Sequence, residues 1–431
     1  MEKGDIGKTG DIVEIVTNEN SFVGTVLPSP DERFILLKLP SGYNVGIEKD
    51  KIKAIAKTGH KKEASFPEAE VKQKKNLPGV SFIVTGGTIS SRLDYETGAV
   101  KWLMKPENIL ALSPKLFETV RINKIEKPFM LASENMTPKE WQKIAKTAAS
   151  LLNKKDNKGI IITHGTDTLH YTAAALSFML QNLNKPVVLT YSQRSTDRGS
   201  TDTVLNLTCA GYAAISDIAQ VMLVGHSSIN DNFCYAFNGT KVRKMHTSRR
   251  DAFRPINDLP IAKIHEDGRI ETLKVYNQRN DRKKVIADTK FEEKIALVKY
   301  FPGADPNIID YYLEKGYKGL VIEATGLGHV ATEESKNNWL PSIKRAIDEG
   351  MTVCFACQTL YGRLDPFVYS PGRKLYDAGV IFLGDMLPET AFVKLGWILA
   401  HEKNPERIKF QMLNNLAGEY NQKLSEKAFL Y

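Results

Sequence analysis

Apolar and polar positions alternate along the first sixty residues with the period of two that a half-buried strand requires. Asp11 to Val16, Ser21 to Leu27, Phe34 to Leu39 and Tyr43 to Ile47 are four such runs. The turn clusters Pro28-Ser29-Pro30-Asp31 and Pro40-Ser41-Gly42 separate them, so residues 1–57 read as a small all-β barrel. Residues 58–78 are rich in Lys and Glu, poor in apolar side chains, and read as a solvated linker.

From Gly79 onward the pattern changes. Continuous apolar runs of strand length recur at Ser81 to Val84, Gly159 to Thr163, Val187 to Tyr191, Gln220 to Gly225, Ile295 to Tyr300, Gly319 to Glu323, Thr352 to Cys357 and Val380 to Leu383. Amphipathic segments lie between several of them. Thr168 to Leu183, for example, places Leu169, Ala173, Leu176, Leu180 and Leu183 at helical spacing. Alternation of this kind predicts an α/β fold of doubly wound parallel sheets. The polar run Tyr276 to Lys284 marks a connection, which divides the body into α/β domains at 79–290 and 291–431. Ligands in such folds bind at the carboxyl ends of strands.

Composition narrows the class. A chain of 431 residues exceeds the ~250–300 at which single cores stop growing, in keeping with several domains. With 42% apolar and 25% charged residues, and no apolar stretch long enough to span a bilayer, it reads as soluble. The N-terminal M-E-K-G-D-I-G-K-T-G-D lacks the apolar core of a signal peptide, which predicts a cytoplasmic location. Four cysteines make no disulfide framework. Cys354 and Cys357 form a C-x-x-C inside an apolar run without a second pair, and read as structural strand residues rather than a metal site. A net charge of +9 suits a polyanionic partner such as RNA, and suits plain solubility equally well.

Three glycine motifs raise the question of phosphate binding. Gly7-Lys8-Thr9 has no preceding strand and no glycine at the P-loop distance, and Gly326-Leu327-Gly328 lacks the third glycine of a dinucleotide fingerprint. Val84-Thr85-Gly86-Gly87-Thr88-Ile89-Ser90 follows a strand but has neither spacing. In Thr163-His164-Gly165-Thr166-Asp167-Thr168 a strand runs into a glycine turn and then a helix, where Thr166 or Asp167 reads first as an N-cap. Backbone N–H groups at such a turn also hold an anionic oxygen, and a carboxylate there can grip an ammonium group. His164 reads as a packed structural residue. Taken together, two glycine-flanked threonines offer one hydroxyl to attack an amide carbonyl and a second, backed by an Asp and a Lys, to relay the proton. Spacing does not identify that lysine.

The segments T-G-G-T-I-S at 85–90 and H-G-T-D-T at 164–168, with D-M-L-P-E-T-A-F-V-K-L-G-W at 385–397, resemble the signature segments of bacterial-type L-asparaginases over most of residues 80–402. With the added barrel and S-E-N-M-T-P-K-E-W at 133–141, the chain is more similar still to the asparaginase-like D subunits of archaeal tRNA-dependent amidotransferases. The resemblance implies Thr88 as nucleophile and Tyr95 as the loop tyrosine that activates it. It implies Thr166 and Asp167 as the second threonine with its carboxylate, and Lys244, or else Lys241, as the lysine behind them. Ser133, Glu134, Gly87 and Gly165 become substrate-binding positions, and the loop from Ser90 to Gly98 a lid. Glu134 stands where many asparaginases have glutamine.

The resemblance further implies hydrolysis of glutamine to glutamate and ammonia, with no cofactor in this chain. A partner E subunit would use ATP and Mg to convert Glu-tRNA(Gln) to Gln-tRNA(Gln), within a heterotetramer built on a homodimer of this chain. The alternatives are a stand-alone asparaginase or glutaminase and a non-catalytic RNA-binding assembly subunit.

Overall fold

The structure, a computed structural model, describes residues 7–41, 43–60, 74–93, 100–102, 113–196 and 198–430. Its N-terminal part is a five-stranded antiparallel sheet: Asp11–Thr17, Ser21–Leu27, Phe34–Lys38, Asn44–Glu48 and Ile52–His60, with the last strand returning beside the first. Strand alternation puts Val13, Ile15, Val26, Leu37, Ile47 and Ile52 into one cluster to which all five strands contribute. The sheet therefore wraps around its own apolar face, as a small barrel does.

The fifth strand corrects the reading of the linker. Thr58 to His60 continue the ladder, with Gly59 opposite Ile12 and His60 opposite Asp11. Asp11 holds that end together: its carboxylate accepts from the Lys8 amide at 2.8 Å and pairs with Lys57 and His60, each at 2.8 Å. Short alternating Lys and Ala residues on an exposed edge strand hide it from a periodicity reading.

The large sheet of the body has eight strands in the order Ile270–Thr272, Ala262–His265, Phe233–Asn238, Val221–His226, Val187–Thr190, Asn157–Thr163, Gly79–Val84, Arg121–Glu126. The last five are mutually parallel. The first three run antiparallel, so the all-parallel expectation holds for only part of this sheet. The Asp267-Gly268 turn between two of the antiparallel strands, with Gly268 at φ +93°, is the hairpin signal that marks this edge.

Buried positions alternate across the parallel strands. Ile160, Ile162 and Leu189 face the helices Pro138–Leu152 and Leu169–Met179, while Ile161 and Val188 face the helix Thr203–Ile215. A second, wholly parallel sheet of Ile295–Lys299, Gly319–Ala324, Thr352–Cys357 and Ile381–Phe382 follows. Cys354 and Cys357 lie in its third strand, three residues apart and therefore on opposite faces, each packed in a different core cluster.

The helix Pro388–Leu399 joins the two sheets' layers. Phe392 meets Tyr171 edge-on and Trp397 stacks on Phe178 of the helix Leu169–Met179. Two fully buried ion pairs flank it, Lys241 with Asp385 at 2.7 Å and Lys394 with Glu419 at 2.6 Å. Among the described residues no helix is long and apolar enough to cross a membrane.

Candidate active site

Strand order places the site. From Gly79–Val84 the chain moves to the edge strand Arg121–Glu126, then crosses back to Asn157–Thr163 on the other side. Order reverses between those two central strands, and a crevice at such a reversal is where ligands sit. Val84 and Thr163 are register partners, so the turns that follow them emerge side by side at the carboxyl end. Thr85 fastens the two, its amide and hydroxyl donating to the Thr163 carbonyl at 3.2 and 2.9 Å.

The glycines are explained by this contact. Gly87 lies at φ +84°, ψ 174°, a region closed to side chains, and a Cβ there would stand 2.4 Å from both the N and Cα of Gly165. A Cβ on Gly165 would stand 2.9 Å from Ser133 Oγ. Gly87, Gly165 and Ser133 are thus stacked at backbone contact. Thr88 follows at the start of a short 3-10 turn, half-buried, and Thr166 is buried beside Gly165.

Lys244 completes the group. It ends the strand Val242–Lys244, which pairs with Phe253–Pro255, and reaches the helix-opening turn. Its ammonium donates to Thr166 Oγ1 and to Asp167 Oδ1, each at 2.8 Å. Lys241 points elsewhere: it is fully buried and donates to the Asp385 carboxylate and carbonyl. A three-residue separation along this extended segment turns the two lysines to opposite sides, a distinction the spacing alone left open. Neither Thr166 nor Asp167 caps the helix. That position falls to Thr168, whose hydroxyl instead donates to the Ser133 carbonyl at 2.7 Å.

Ser133 is buried, and its Oγ has no partner among the described residues. A buried hydroxyl without a protein partner, set beside the stacked glycines, is a donor at the disposal of a ligand. Glu134 next to it is exposed. Tyr95, and with it the 94–99 part of the expected lid, lies outside the described residues.

His164 is fully buried, and burial pushes its imidazole down to about 4, so the ring is neutral near pH 7. It donates from Nδ1 to the Gly165 carbonyl at 2.7 Å and accepts at Nε2 from Thr172 at 2.9 Å. The ring braces the glycine turn against the helix, the structural role its sequence context suggested.

Sequence reasoning missed what stands behind Lys244. Arg243 Nε reaches Glu389 Oε1 at 3.0 Å, carrying the helix Pro388–Leu399 into the site. Burial raises the Glu389 carboxyl, and Arg243 opposes that. His170 Nε2 lies 3.9 Å from the same oxygen. Burial, with Arg243 and Lys244 nearby, brings this ring down to about 3, so the contact is dipolar rather than an ion pair. The only available signal was Glu389, a carboxylate in a helix that is mostly apolar. Chemically the group offers two hydroxyls, a carboxylate and an amine. That is the equipment of amide attack and proton relay.

Most of the chain matches known families. Residues 79–278 match the family described as Asparaginase, N-terminal; residues 294–412 match the Glutaminase/Asparaginase C-terminal domain; residues 8–57 match the GatD N-terminal domain. The D subunit of the glutamyl-tRNA(Gln) amidotransferase of Pyrococcus furiosus is 48% identical over 98% of this chain and 97% of its own. That of Pyrococcus abyssi is 50% identical over 95% and 94%. Among solved structures, the thermostable L-asparaginase from Thermococcus kodakarensis superposes with a TM-score of 0.71 at 29% identity, covering 80% of this chain and all of its own.

Proposed function

Since the chain belongs to the D-subunit family of glutamyl-tRNA(Gln) amidotransferases, an asparaginase-type body carrying the GatD N-terminal domain, we propose that it releases ammonia from glutamine for a tRNA-dependent amidotransferase. The observation that carries the reading is Lys244 bridging Thr166 and Asp167 beside the Thr85–Thr88 turn.

Glutamine docks with its α-carboxylate on Ser133 Oγ and the backbone N–H groups of Gly165 and Thr166. Its α-ammonium goes to Asp167, with the exposed Glu134 alongside. Thr88 Oγ attacks the side-chain carboxamide carbon while its proton passes to Tyr95 or, once Lys244 has given up a proton, through Thr166 to the Lys244 amine, and from there to the departing nitrogen. The tetrahedral oxyanion needs N–H donors, which backbone groups at the glycine turns supply. Collapse expels ammonia and leaves a glutamyl ester on Thr88, and water then cleaves that ester to glutamate. Arrival of the ammonium at Asp167 competes with Lys244 for the carboxylate and leaves the amine to Thr166.

The ammonia serves a partner E subunit that uses ATP and Mg to convert Glu-tRNA(Gln) to Gln-tRNA(Gln). The assembly is a cytoplasmic heterotetramer around a homodimer of this chain. The test is ammonia release from glutamine and asparagine, measured with the chain alone and with partner and Glu-tRNA added. Slow release that rises sharply in the complex is expected, and Thr88→Ala should remove about 10³-fold or more of it. Fast unconditional hydrolysis of asparagine would instead identify a stand-alone enzyme.

A further inference from the structure

The end of the large sheet opposite the active site carries a concentrated positive charge. Residues 153–158 precede and open the strand Asn157–Thr163, and Asn184 to Pro186 lead into Val187–Thr190, so both segments lie at the amino ends of the parallel strands. The polar run expected to be a mere connection folds onto them. Asn153 exchanges two 2.9 Å hydrogen bonds with the backbone of Val285, the Asn280 amide donates to the Asn184 carbonyl at 3.1 Å, and Asn184 donates to the Lys283 carbonyl.

Lys154, Lys155, Lys158, Arg282, Lys283 and Lys284 are all exposed on this surface, with only Asp156 and Asp281 in the same two segments to offset them. None of the six cations forms an ion pair with a described residue. Lys185, by contrast, is buried and spends its ammonium on the carbonyls of Leu152 and Lys154, which fixes the turn that displays the others. Lys283 also lines a cleft of about 700 Å³ whose walls carry several amides, Gln181, Asn182, Gln220, Asn277 and Asn280 among them, alongside apolar side chains such as Leu183 and Val275.

We propose that this amino-end surface binds RNA, its six exposed cations meeting phosphates and the amide-lined cleft taking sugar hydroxyls or base edges. Unpaired, exposed cations are the sequence-independent part of such an interface, and neutral amides supply donors and acceptors without repelling phosphate. An acidic protein surface would satisfy the cations but would leave the amide cleft without a matching role. The identity of the RNA as tRNA rests on the proposed function; the surface itself rests on charge and position. Because it lies across the sheet from Thr88 and Lys244, RNA can dock there without covering the glutamine site.

The full chain and its complex with the partner subunit are titrated with labelled tRNA(Gln) at several salt concentrations, as wild type and as Lys155→Glu/Lys158→Glu/Arg282→Glu/Lys284→Glu. The variant should bind RNA at least ~10-fold more weakly, with the log–log salt slope smaller by about 3, while RNA-independent glutamine hydrolysis and thermal unfolding stay unchanged. Wild-type RNA affinity in the variant overturns the proposal. So does a loss confined to association with the partner subunit, which makes the patch a protein interface. If wild type releases no ammonia but the variant still loses RNA, the glutaminase reading fails and the RNA surface stands.

Discussion

Gly87 and Gly165, 78 positions apart in sequence, touch backbone to backbone, so closely that a methyl group on the first would lie 2.4 Å from the Cα of the second. The two glycine-flanked threonines are therefore one construction: neither turn can take its shape without the other. Parallel register brings the turns level, and the absence of two side chains lets them meet.

Gly87→Ala tests that contact. The substitution places a Cβ at φ +84° and into the facing turn, two penalties of roughly 1–3 kcal/mol each. We expect a lower unfolding midpoint and loss of glutamine hydrolysis together. Gly199→Ala is the matched control, since a Cβ there meets nothing within 4 Å. A Gly87→Ala enzyme with full activity would show that the turns do not need this approach.

Much of this fold was legible because period and burial agree. The apolar runs at 159–163, 187–191, 319–323 and 352–357 are central strands buried on both faces, and each sits within two residues of its expected bounds. Edge strands escaped, since Ile52–His60 and Ile270–Thr272 bury little and carry no strong pattern. In the site, the two threonines and Asp167 were readable as residue types, and the lysine pair came only from the family resemblance. What no sequence pattern encodes is direction: Lys244 turns to Thr166 and Lys241 into the core, and Glu389 arrives from 145 residues away through the packing of the helix Pro388–Leu399 on the helix Leu169–Met179.

The two lysines should separate cleanly on substitution. Lys244→Met removes the amine that contacts Thr166 and Asp167 and should lower kcat by ~10²–10⁴-fold, with unfolding little changed. Lys241→Met strands the fully buried Asp385 carboxylate and should cost about 3–5 kcal/mol of stability. Its residual folded fraction should still turn over glutamine. Paired measurements of kcat and urea midpoint decide this, and a reversal of the two patterns would exchange the lysines' roles.

Ser133→Ala distinguishes binding from folding. The Ser133 hydroxyl is buried without a partner among the described residues, so its removal breaks no hydrogen bond to any of them. Stability should hold or rise slightly. If Ser133 holds the substrate carboxylate, the lost charge-assisted bond is worth roughly 1.5–3 kcal/mol, which raises KM by about 10- to 150-fold while kcat changes less. Unchanged KM would remove Ser133 from the substrate site.

Buried histidines set an acid limit on stability, His226 among them, since burial lowers that ring too. His164 and His170 have folded values of about 4 and about 3 against 6.5 when unfolded. A depressed histidine is neutral in the folded protein while the unfolded chain takes up its proton, so stability is complete above pH 6.5 and falls as pH drops below it. Each histidine contributes up to ~1.4 kcal/mol per pH unit in that window. Glu389 acts in the opposite sense, because burial raises its carboxyl and the folded state then binds the extra proton. Depressed carboxylates such as Asp11 enter only below their ordinary 3.8, outside the window. Urea midpoints taken from pH 7.5 to 4.5 should therefore decline from about pH 6.5 downward. His170→Phe keeps the ring volume, removes one of these ionisations and should flatten the decline. Midpoints constant between pH 7 and 5 in wild type would mean that these rings reach solvent in the folded protein.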